Sequence, residues 1–382
     1  MDHNHKNRKV VFSVTNCICY DQRVLKMASA VSSLGFEITI IGRKRGECCE
    51  TDSIPFKTRR FRMLFKHGFF FYKFYNIRLF FYLLSHRFDL LVANDLDTLL
   101  PNYLVSRLKN IPVIYDSHEY FTGVPELNKR PFVKMIWKII EKAVFPELKH
   151  VVTVSDPIAG LYETEYGIRP VVIRNLSPLS ENIIPMERDE LGVREDHLLL
   201  ILQGGGINID RGAEDLIEAV KITENVSLII AGAGDVLPVL KDMVMGYGIS
   251  DRVKFYPLMP WEKLMRITKS ADVGLSLDKD TNLNYRYSLP NKLFDYLSAG
   301  IPVITGSLPE IIKIVESYAC GITLPAITTE EISKAIIKFR DDRELQVKLK
   351  RNSKIASETL NWTNESEKVI SLYRKILGGH VN

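Results

Sequence analysis

The chain has 382 residues, of which 46% are hydrophobic and 25% charged, with a formal net charge of +5. Such a composition is globular and excludes a disordered chain, and the length suggests two domains of ordinary size. The net charge is too mild to define a partner, so its distribution along the chain matters more.

The start, MDHNHKNRKVVFSV, is polar and basic and passes directly into an apolar strand too short for the core of a signal peptide. No apolar run approaches the roughly 20 residues of a membrane-spanning helix, so a cytoplasmic protein is expected. Cys17, Cys19, Cys48, Cys49 and Cys320 lack the paired spacing of a zinc site and read as free thiols, with no metal.

Up to about residue 173 the pattern alternates. It predicts strands at 10–14, 38–41, 90–92, 113–115, 151–154 and 171–173, with helices over 22–34, 98–108, 132–145 and 156–166. Continuous apolar strands separated by helices argue for a parallel sheet covered on both faces, and such sheets bind ligands at the carboxyl ends of their strands. The loops at those ends carry Asp21, Arg23, Asn94, Asp95, His118, Glu119 and Ser155. Capping or solvation accounts for most of them singly, and Asp97 and Ser155 suit N-caps. His118 stands apart, as a near-neutral imidazole able to donate a hydrogen bond to a substrate oxygen.

Residues 57–87 change character: eight Lys or Arg and two His, with no acid, are interleaved with Phe, Tyr and Leu. Three accounts fit. The segment can lie on an anionic bilayer, where each Lys or Arg near the surface is worth about 1 kcal/mol. It can bind single-stranded nucleic acid through stacking and phosphate contacts. It can also be a helical hairpin with its Phe residues in the core. The expectation taken forward is the membrane surface, on the inner face of a cytoplasmic membrane, with no nucleic-acid partner.

Residues 179–195 hold prolines and many charges without a period and read as a linker between a first domain, 1–178, and a second, 196–360. The second block predicts strands at 198–202, 226–230, 253–255, 273–277, 301–305 and 322–324. Helices are expected over 213–222, 236–247, 261–270, 291–299, 310–316 and 330–339. Residues 361–382 form a last helix with no strand after it, which could return to brace the first domain. The fold class is α/β, two Rossmann-like domains facing across a cleft, which is the natural ligand site.

Within the second block, SLPNKLFDYLSAGIPVITGS (288–307) organises the rest. Pro290 and Gly300 fix the ends of a short helix, whose first turn brings Asn291, Lys292 and free backbone amides to one spot, an anion site. Asp295, one turn on, is better explained by hydroxyl recognition than by phosphate binding. Upstream, ILQGGGINIDRG runs from a strand into Gly204, Gly205 and Gly206, then to Arg211 at a helix start. It is neither a dinucleotide fingerprint nor a P-loop. AGAGD (231–235) reads as a tight strand-to-helix turn.

Taken together, DQRVLKMASAVSSLGFEITII, YDSHEYF, VVTVSDPIAGLYETEYG with VVIRN, GGG with DRG, IIAGAGD and above all LPNKLFDYLSAGIPVI resemble the glycosyltransferase family 4 group of GT-B enzymes. The resemblance runs through nearly the whole chain. It implies a retaining, metal-independent transferase that takes its sugar from a nucleoside diphosphate, with no cofactor. Gly205, Gly206, Arg211 and Lys292 would bind the donor diphosphate, helped by backbone amides near Asn291 and Leu293. Asp295 would hold the ribose hydroxyls, the segment from Pro257 would flank the base, and His118 would reach across the cleft to the donor sugar. Asp21, with Arg23, Asp95 and Glu119 on the same rim, would face the acceptor, a glycan or lipid-linked glycan such as surface-polysaccharide synthesis uses.

The family commonly has two glutamates separated by seven residues. Here the second falls on Asp295 and the first on Tyr287, so the donor-sugar contact departs from the pattern, and Asp278 and Asp280 on the preceding loop are the candidates to compensate. A sugar-nucleotide epimerase of the same architecture and a non-catalytic binding or scaffold protein are the alternatives.

Overall fold

The alternation of apolar strands and amphipathic helices builds two units in a computed structural model of the chain, which describes residues 8–44, 54–124, 127 and 130–378. The chain passes from the first unit to the second after Asn175 and returns to the first at Glu365.

The first unit comprises β1 (Lys9–Ser13), α1 (Gln22–Ser32), β2 (Glu37–Lys44), β3 (Lys57–Arg62), α2 (Gly68–Ser85), β4 (Leu90–Asn94), α3 (Leu96–Lys109), β5 (Val113–Ser117), α4 (Pro131–Val144), β6 (His150–Thr153), α5 (Asp156–Tyr166) and β7 (Val171–Val172). Its sheet runs β3-β2-β1-β4-β5-β6-β7 with parallel pairing throughout. Strands β1, β4 and β5 are buried along nearly their whole length, which is why they read as continuous apolar runs. The strand order reverses direction on either side of β1, so a ligand crevice belongs at the carboxyl ends of β1 and its neighbours.

The segment 57–87 is not a helical hairpin. Its first part is the edge strand β3, which buries only Phe61 and leaves its basic side chains outside, a composition suited to an unpaired sheet edge. Helix α2 follows and buries the single stripe Phe71, Tyr75, Leu79 and Leu83, with the Tyr75 hydroxyl donating to the Val14 carbonyl. The cysteine reading also changes. Cys17 and Cys19 are disulfide-bonded, and only Cys320, buried, is a free thiol among the described residues. Sequence spacing does not reveal which sulfurs the fold brings within bonding reach. Cys48 and Cys49 lie outside the described residues.

The second unit comprises β8 (Leu198–Gly204), α6 (Ala213–Ile222), β9 (Val226–Gly232), α7 (Leu237–Gly246), β10 (Val253–Pro257), α8 (Trp261–Ser270), β11 (Val273–Ser276), α9 (Leu283–Arg286), α10 (Asn291–Ser298), β12 (Val303–Thr305), α11 (Pro309–Tyr318), β13 (Gly321–Thr323), α12 (Thr329–Asp341) and α13 (Arg343–Thr359). Its parallel sheet runs β10-β9-β8-β11-β12-β13 and again reverses order at its first strand. Residues 179–195, read as a linker, belong to this unit: Leu191 and Val193 lie in its core and Met186 N–H donates to the Arg266 carbonyl at 3.1 Å. The glycines of AGAGD serve packing. A Cβ on Gly232, whose φ is +143°, would stand 1.8 Å from the Gly204 carbonyl oxygen.

The last helix, α14 (Trp362–Gly378), lies in the first unit from Glu365 onward. There Tyr373 is fully buried and stacks on Phe12 at 6.5 Å, and Glu365 accepts the Arg174 N–H at 2.8 Å.

Candidate functional site

In the second unit the expected anion-binding residues gather at the carboxyl edge of the sheet, around an acid that sequence reasoning undervalued. Asp278 follows β11 and its side chain is fully buried. Arg211, in the loop after β8, donates from Nη1 to Asp278 Oδ1 at 2.7 Å, and its guanidinium carbon lies 4.3 Å from the centre of the Tyr285 ring. Lys292, in the first turn of α10, places Nζ 3.2 Å from the other oxygen, Oδ2. Burial pushes the Asp278 carboxyl up, but the charges of Lys292 and Arg211 outweigh it and hold it below the usual carboxylate range. Burial pulls the Lys292 ammonium down, and Asp278 offsets only part of this. Arg211 is also pulled down by burial, yet the Asp278 charge raises it above its ordinary value. Two cations thus share one buried anion, leaving a preorganised excess of one positive charge.

Helix α10 has its open end at the same place. Pro290 occupies the N-cap position with extended backbone, and Asn291, exposed, and Lys292 are the first two helical residues, whose amides have no partner within a helix. The Leu293 amide does not join them: it donates to the Pro290 carbonyl at 3.0 Å, closing a turn, and the Leu293 side chain is core. A Cβ on Gly205 would meet nothing within 4 Å, and one on Gly206 only the Asn208 amide at 3.7 Å, so space beside this turn is left open. Pro257 ends β10, exposed, and Tyr287 ends α9, so both stand on the carboxyl edge.

Asp295 is held from several sides. Its carboxylate is buried, accepts from Ser177 Oγ at 2.5 Å and Trp261 Nε1 at 2.9 Å on Oδ1, and from Gln203 Nε2 at 2.9 Å on Oδ2. Both oxygens are engaged inside the unit, which ties α10 to α8, β8 and the entering chain. Asp280, the other acid on the loop after β11, lies 3.8 Å from Arg286 and is half-exposed.

In the first unit His118 sits after β5 with its side chain one-fifth exposed. Asp95 Oδ1 accepts the His118 backbone N–H at 2.9 Å, and Asp95 Oδ2 lies 3.3 Å from Nδ1. Asp95 itself has φ +62°, a conformation few non-glycine residues adopt, at the turn from β4 into α3. On the other side of the ring, Asp116 Oδ2 stands 3.7 Å from Nε2. Burial favours the neutral ring, but the charges of Asp95 and Asp116 win and raise the His118 pKa to about 9. The imidazole is therefore a cation at neutral pH, not the near-neutral donor expected from its ordinary value.

Three further polar residues of this unit have partners inside it. Arg23 is buried and committed: Nη2 donates to Asp116 Oδ1 at 2.6 Å, and Nη1 to the Ile173 carbonyl at 2.9 Å. Asp21 caps α1 by accepting the Val24 N–H at 3.2 Å. Asp97 is not a cap, because the chain enters α3 two residues earlier, at Asp95; its Oδ2 accepts from Thr15 Oγ1 at 2.5 Å. Glu119 is exposed, and Ser155 does occupy the N-cap position of α5. Asp116 and Asp278 are the residues that sequence reasoning passed over or misassigned. The signal available was an acid directly after an apolar parallel strand.

These two parallel-sheet α/β units define a GT-B fold. Sucrose-phosphate synthase from Thermosynechococcus elongatus superposes over 97% of this chain and 100% of its own, with TM-score 0.80 at 16% identity. HepE of Anabaena, in complex with UDP and glucose, does so over 96% and 100%, with TM-score 0.75 at 15% identity. The model of Glycosyltransferase Family 4 matches residues 21–177 and that of Glycosyl transferases group 1 matches residues 187–356. The chain belongs to the family 4 type of GT-B glycosyltransferases. Among curated relatives, an uncharacterized glycosyltransferase of Methanocaldococcus jannaschii is 24% identical over 59% of this chain and 59% of its own length. Alpha-D-kanosaminyltransferase of Streptomyces kanamyceticus is 22% identical over 72% and 73%.

Proposed function

We propose that this glycosyltransferase takes its sugar from a nucleoside diphosphate sugar, with retention of configuration and without a metal ion, and passes it to a glycan or lipid-linked glycan of a bacterial surface polysaccharide. The observation that carries the donor class is Lys292 and Arg211 held side by side on the buried Asp278 at the open end of α10. As the bond from the anomeric carbon to the diphosphate breaks, negative charge grows on the leaving group. These cations and the amides of Asn291 and Lys292 stabilise that charge more in the transition state than in the ground state. On this reading Lys292 and Arg211 take the part that a divalent ion plays elsewhere in neutralising a diphosphate. The UDP and glucose held by the HepE structure, a protein of the same fold, support the same donor class.

His118, charged and aimed by Asp95 and Asp116, would hydrogen-bond a sugar hydroxyl, with Arg23 holding Asp116 in place as a positioning residue. Membrane attachment has its own support. Helix α2 exposes Phe70, Phe74, Ile77 and Phe81 on the side opposite its buried stripe, and α4 exposes Phe132, Met135 and Ile139 at helical spacing. Basic side chains of β3 and α2 accompany them, a pairing that suits anionic lipid. Among the described residues no helix is long and apolar enough to cross a membrane.

The test is Lys292→Ala. Turnover with the cognate donor should fall about 100- to 1,000-fold, the usual loss for one preorganised donor at a developing anion, while the melting temperature stays close to wild type. Titration with UDP, GDP, ADP and dTDP in the presence of a chelator should identify one diphosphate that binds wild type and not the variant. Undiminished turnover in Lys292→Ala removes the assignment, and a chelator that abolishes binding removes the metal-independent mechanism.

A further inference from the structure

The first unit holds a cavity of about 460 Å³ that none of the residues expected to face the acceptor lines. Its walls come from the carboxyl ends of three adjacent parallel strands. Thr15 and Asn16 follow β1, Arg43 lies near the end of β2, and Lys66 and His67 precede α2 after β3. Phe71 and Tyr72, in the first turns of α2, form the remaining side. This is the edge at which parallel sheets bind ligands, and the volume is ordinary for a small-molecule site of about 300–1,000 Å³.

The pocket is built rather than incidental. Asn16 accepts the Arg43 N–H on its carbonyl at 3.2 Å, and Arg43 Nη1 donates to the Lys66 carbonyl at 3.0 Å, fixing the loop before α2. The Arg43 guanidinium carbon also stands 5.0 Å from the centre of the Phe71 ring. A Cβ on Gly42 would fall 2.9 Å from the Asn16 carbonyl oxygen, so β2 and the loop after β1 pass at minimum distance. Thr15 is anchored to Asp97, and the Tyr72 ring meets Trp137 of α4 edge-on at 5.4 Å. Burial raises the Tyr72 hydroxyl to about 12, so it remains a hydrogen-bond donor at neutral pH.

The lining chemistry selects a ligand. Among the described residues that line the cavity, Arg43, Lys66 and His67 are basic and none is an acid. Of the two aromatic side chains on the wall, Phe71 is core and Tyr72, half-buried, is the one able to meet the apolar face of a sugar ring; the exposed Phe70 and Phe74 flank them on the same helix. We infer that this pocket binds the phosphate group of a phosphorylated acceptor, with the acceptor sugar against Tyr72. The inference rests on reading the protein as a transferase that uses a nucleoside diphosphate sugar. The phosphate could belong to a lipid-linked glycan or to a soluble sugar phosphate, and both present anionic phosphoryl oxygens to Arg43, Lys66 and His67.

The test compares Lys66→Gln/His67→Gln with wild type, both in the Lys292→Ala background that disables the donor diphosphate site. Lys66 and His67 are exposed, so the substitutions should leave the melting temperature unchanged. The probes are geranyl diphosphate in phosphatidylcholine vesicles and glucose 1-phosphate in solution. At least tenfold weaker binding of geranyl diphosphate in the double variant, with recovery in Lys66→Arg/His67→Gln, supports the pocket and a lipid-borne source. The same loss confined to glucose 1-phosphate supports the pocket with a soluble source. Unchanged binding of both probes overturns it. Nucleoside diphosphate binding by protein with Lys292 intact is scored separately: its failure sinks the transferase reading, whereas its success beside unchanged probe binding sinks the pocket alone.

Discussion

Arg211 donates to Asp278 at 2.7 Å, and because the acid is fully buried, that bond also decides where Lys292 can stand. Lys292 uses the second oxygen of the same carboxylate, 3.2 Å away, in surroundings that already pull its pKa down.

Asp278→Asn should therefore do two separable things. Breaking a buried ion pair from one side typically costs about 3–5 kcal/mol of stability, so the melting temperature should fall. Without the anion, burial and Arg211 both act to strip the Lys292 proton, so the alkaline limb of the activity–pH profile should move to lower pH. A profile that keeps the wild-type alkaline limb would show that Asp278 does not hold the lysine charged.

Asp295→Ala separates architecture from ligand binding. The substitution leaves the buried groups of Ser177, Gln203 and Trp261 without their acceptor, each loss costing about 1–3 kcal/mol. The expected result is a large drop in melting temperature, while the folded fraction binds the cognate nucleoside diphosphate within about twofold of wild type. A stable variant with strongly weakened nucleotide binding would return Asp295 to the ribose.

That residue also marks the limit of what the sequence reveals. The strands were legible because both faces of each parallel sheet are covered, so burial is written as unbroken apolar runs such as Leu198–Leu202. The helix ends around Pro290 and Gly300 were legible because missing N–H groups and positive φ have few alternatives. Strand β3 was not, since an edge strand with one inward residue merges with α2 into a single basic, aromatic stretch. The charged residues were legible as a cluster but not as pairs. Whether Arg23, Asp278 or Asp295 faces a ligand depends on the partner that a distant segment delivers, Asp116 in the first case and Ser177 in the last.

The pH dependence of stability should carry the signature of Asp97. Burial raises its carboxyl from an ordinary 3.8 to about 7, and the Asp95 charge adds to this, against Thr15 and His118. A raised acid favours the folded state when protonated, so its contribution is present below about pH 4 and is lost as pH rises through 7. At about 1.4 kcal/mol for each pH unit of that window, the loss is roughly 4 kcal/mol at most. Asp97→Asn cannot titrate but keeps an acceptor for the Thr15 hydroxyl. Its melting temperature minus that of wild type should therefore climb by several degrees between pH 4 and 8. A difference that stays flat across that range would exclude Asp97 as the titrating group.

Helix α2 offers the last prediction. It is apolar on both sides, yet the unit covers only the stripe of Phe71, Tyr75, Leu79 and Leu83 and leaves Phe74 at 46% and Phe81 at 61% exposure. Removing exposed aromatics costs the fold little, because solvent already reaches them, but it removes apolar area that a bilayer interface would bury at about 25 cal/mol per Å². Phe70→Ser/Phe74→Ser/Phe81→Ser should keep the wild-type melting temperature and lose co-sedimentation with vesicles containing phosphatidylglycerol. Arg59→Gln/Arg60→Gln/Arg62→Gln/Lys66→Gln should lose it too, and should respond less to added salt, since neutralised side chains leave less charge to screen. If both variants sediment with vesicles as wild type does, α2 and β3 do not form the membrane face, and the exposed aromatics must serve another partner.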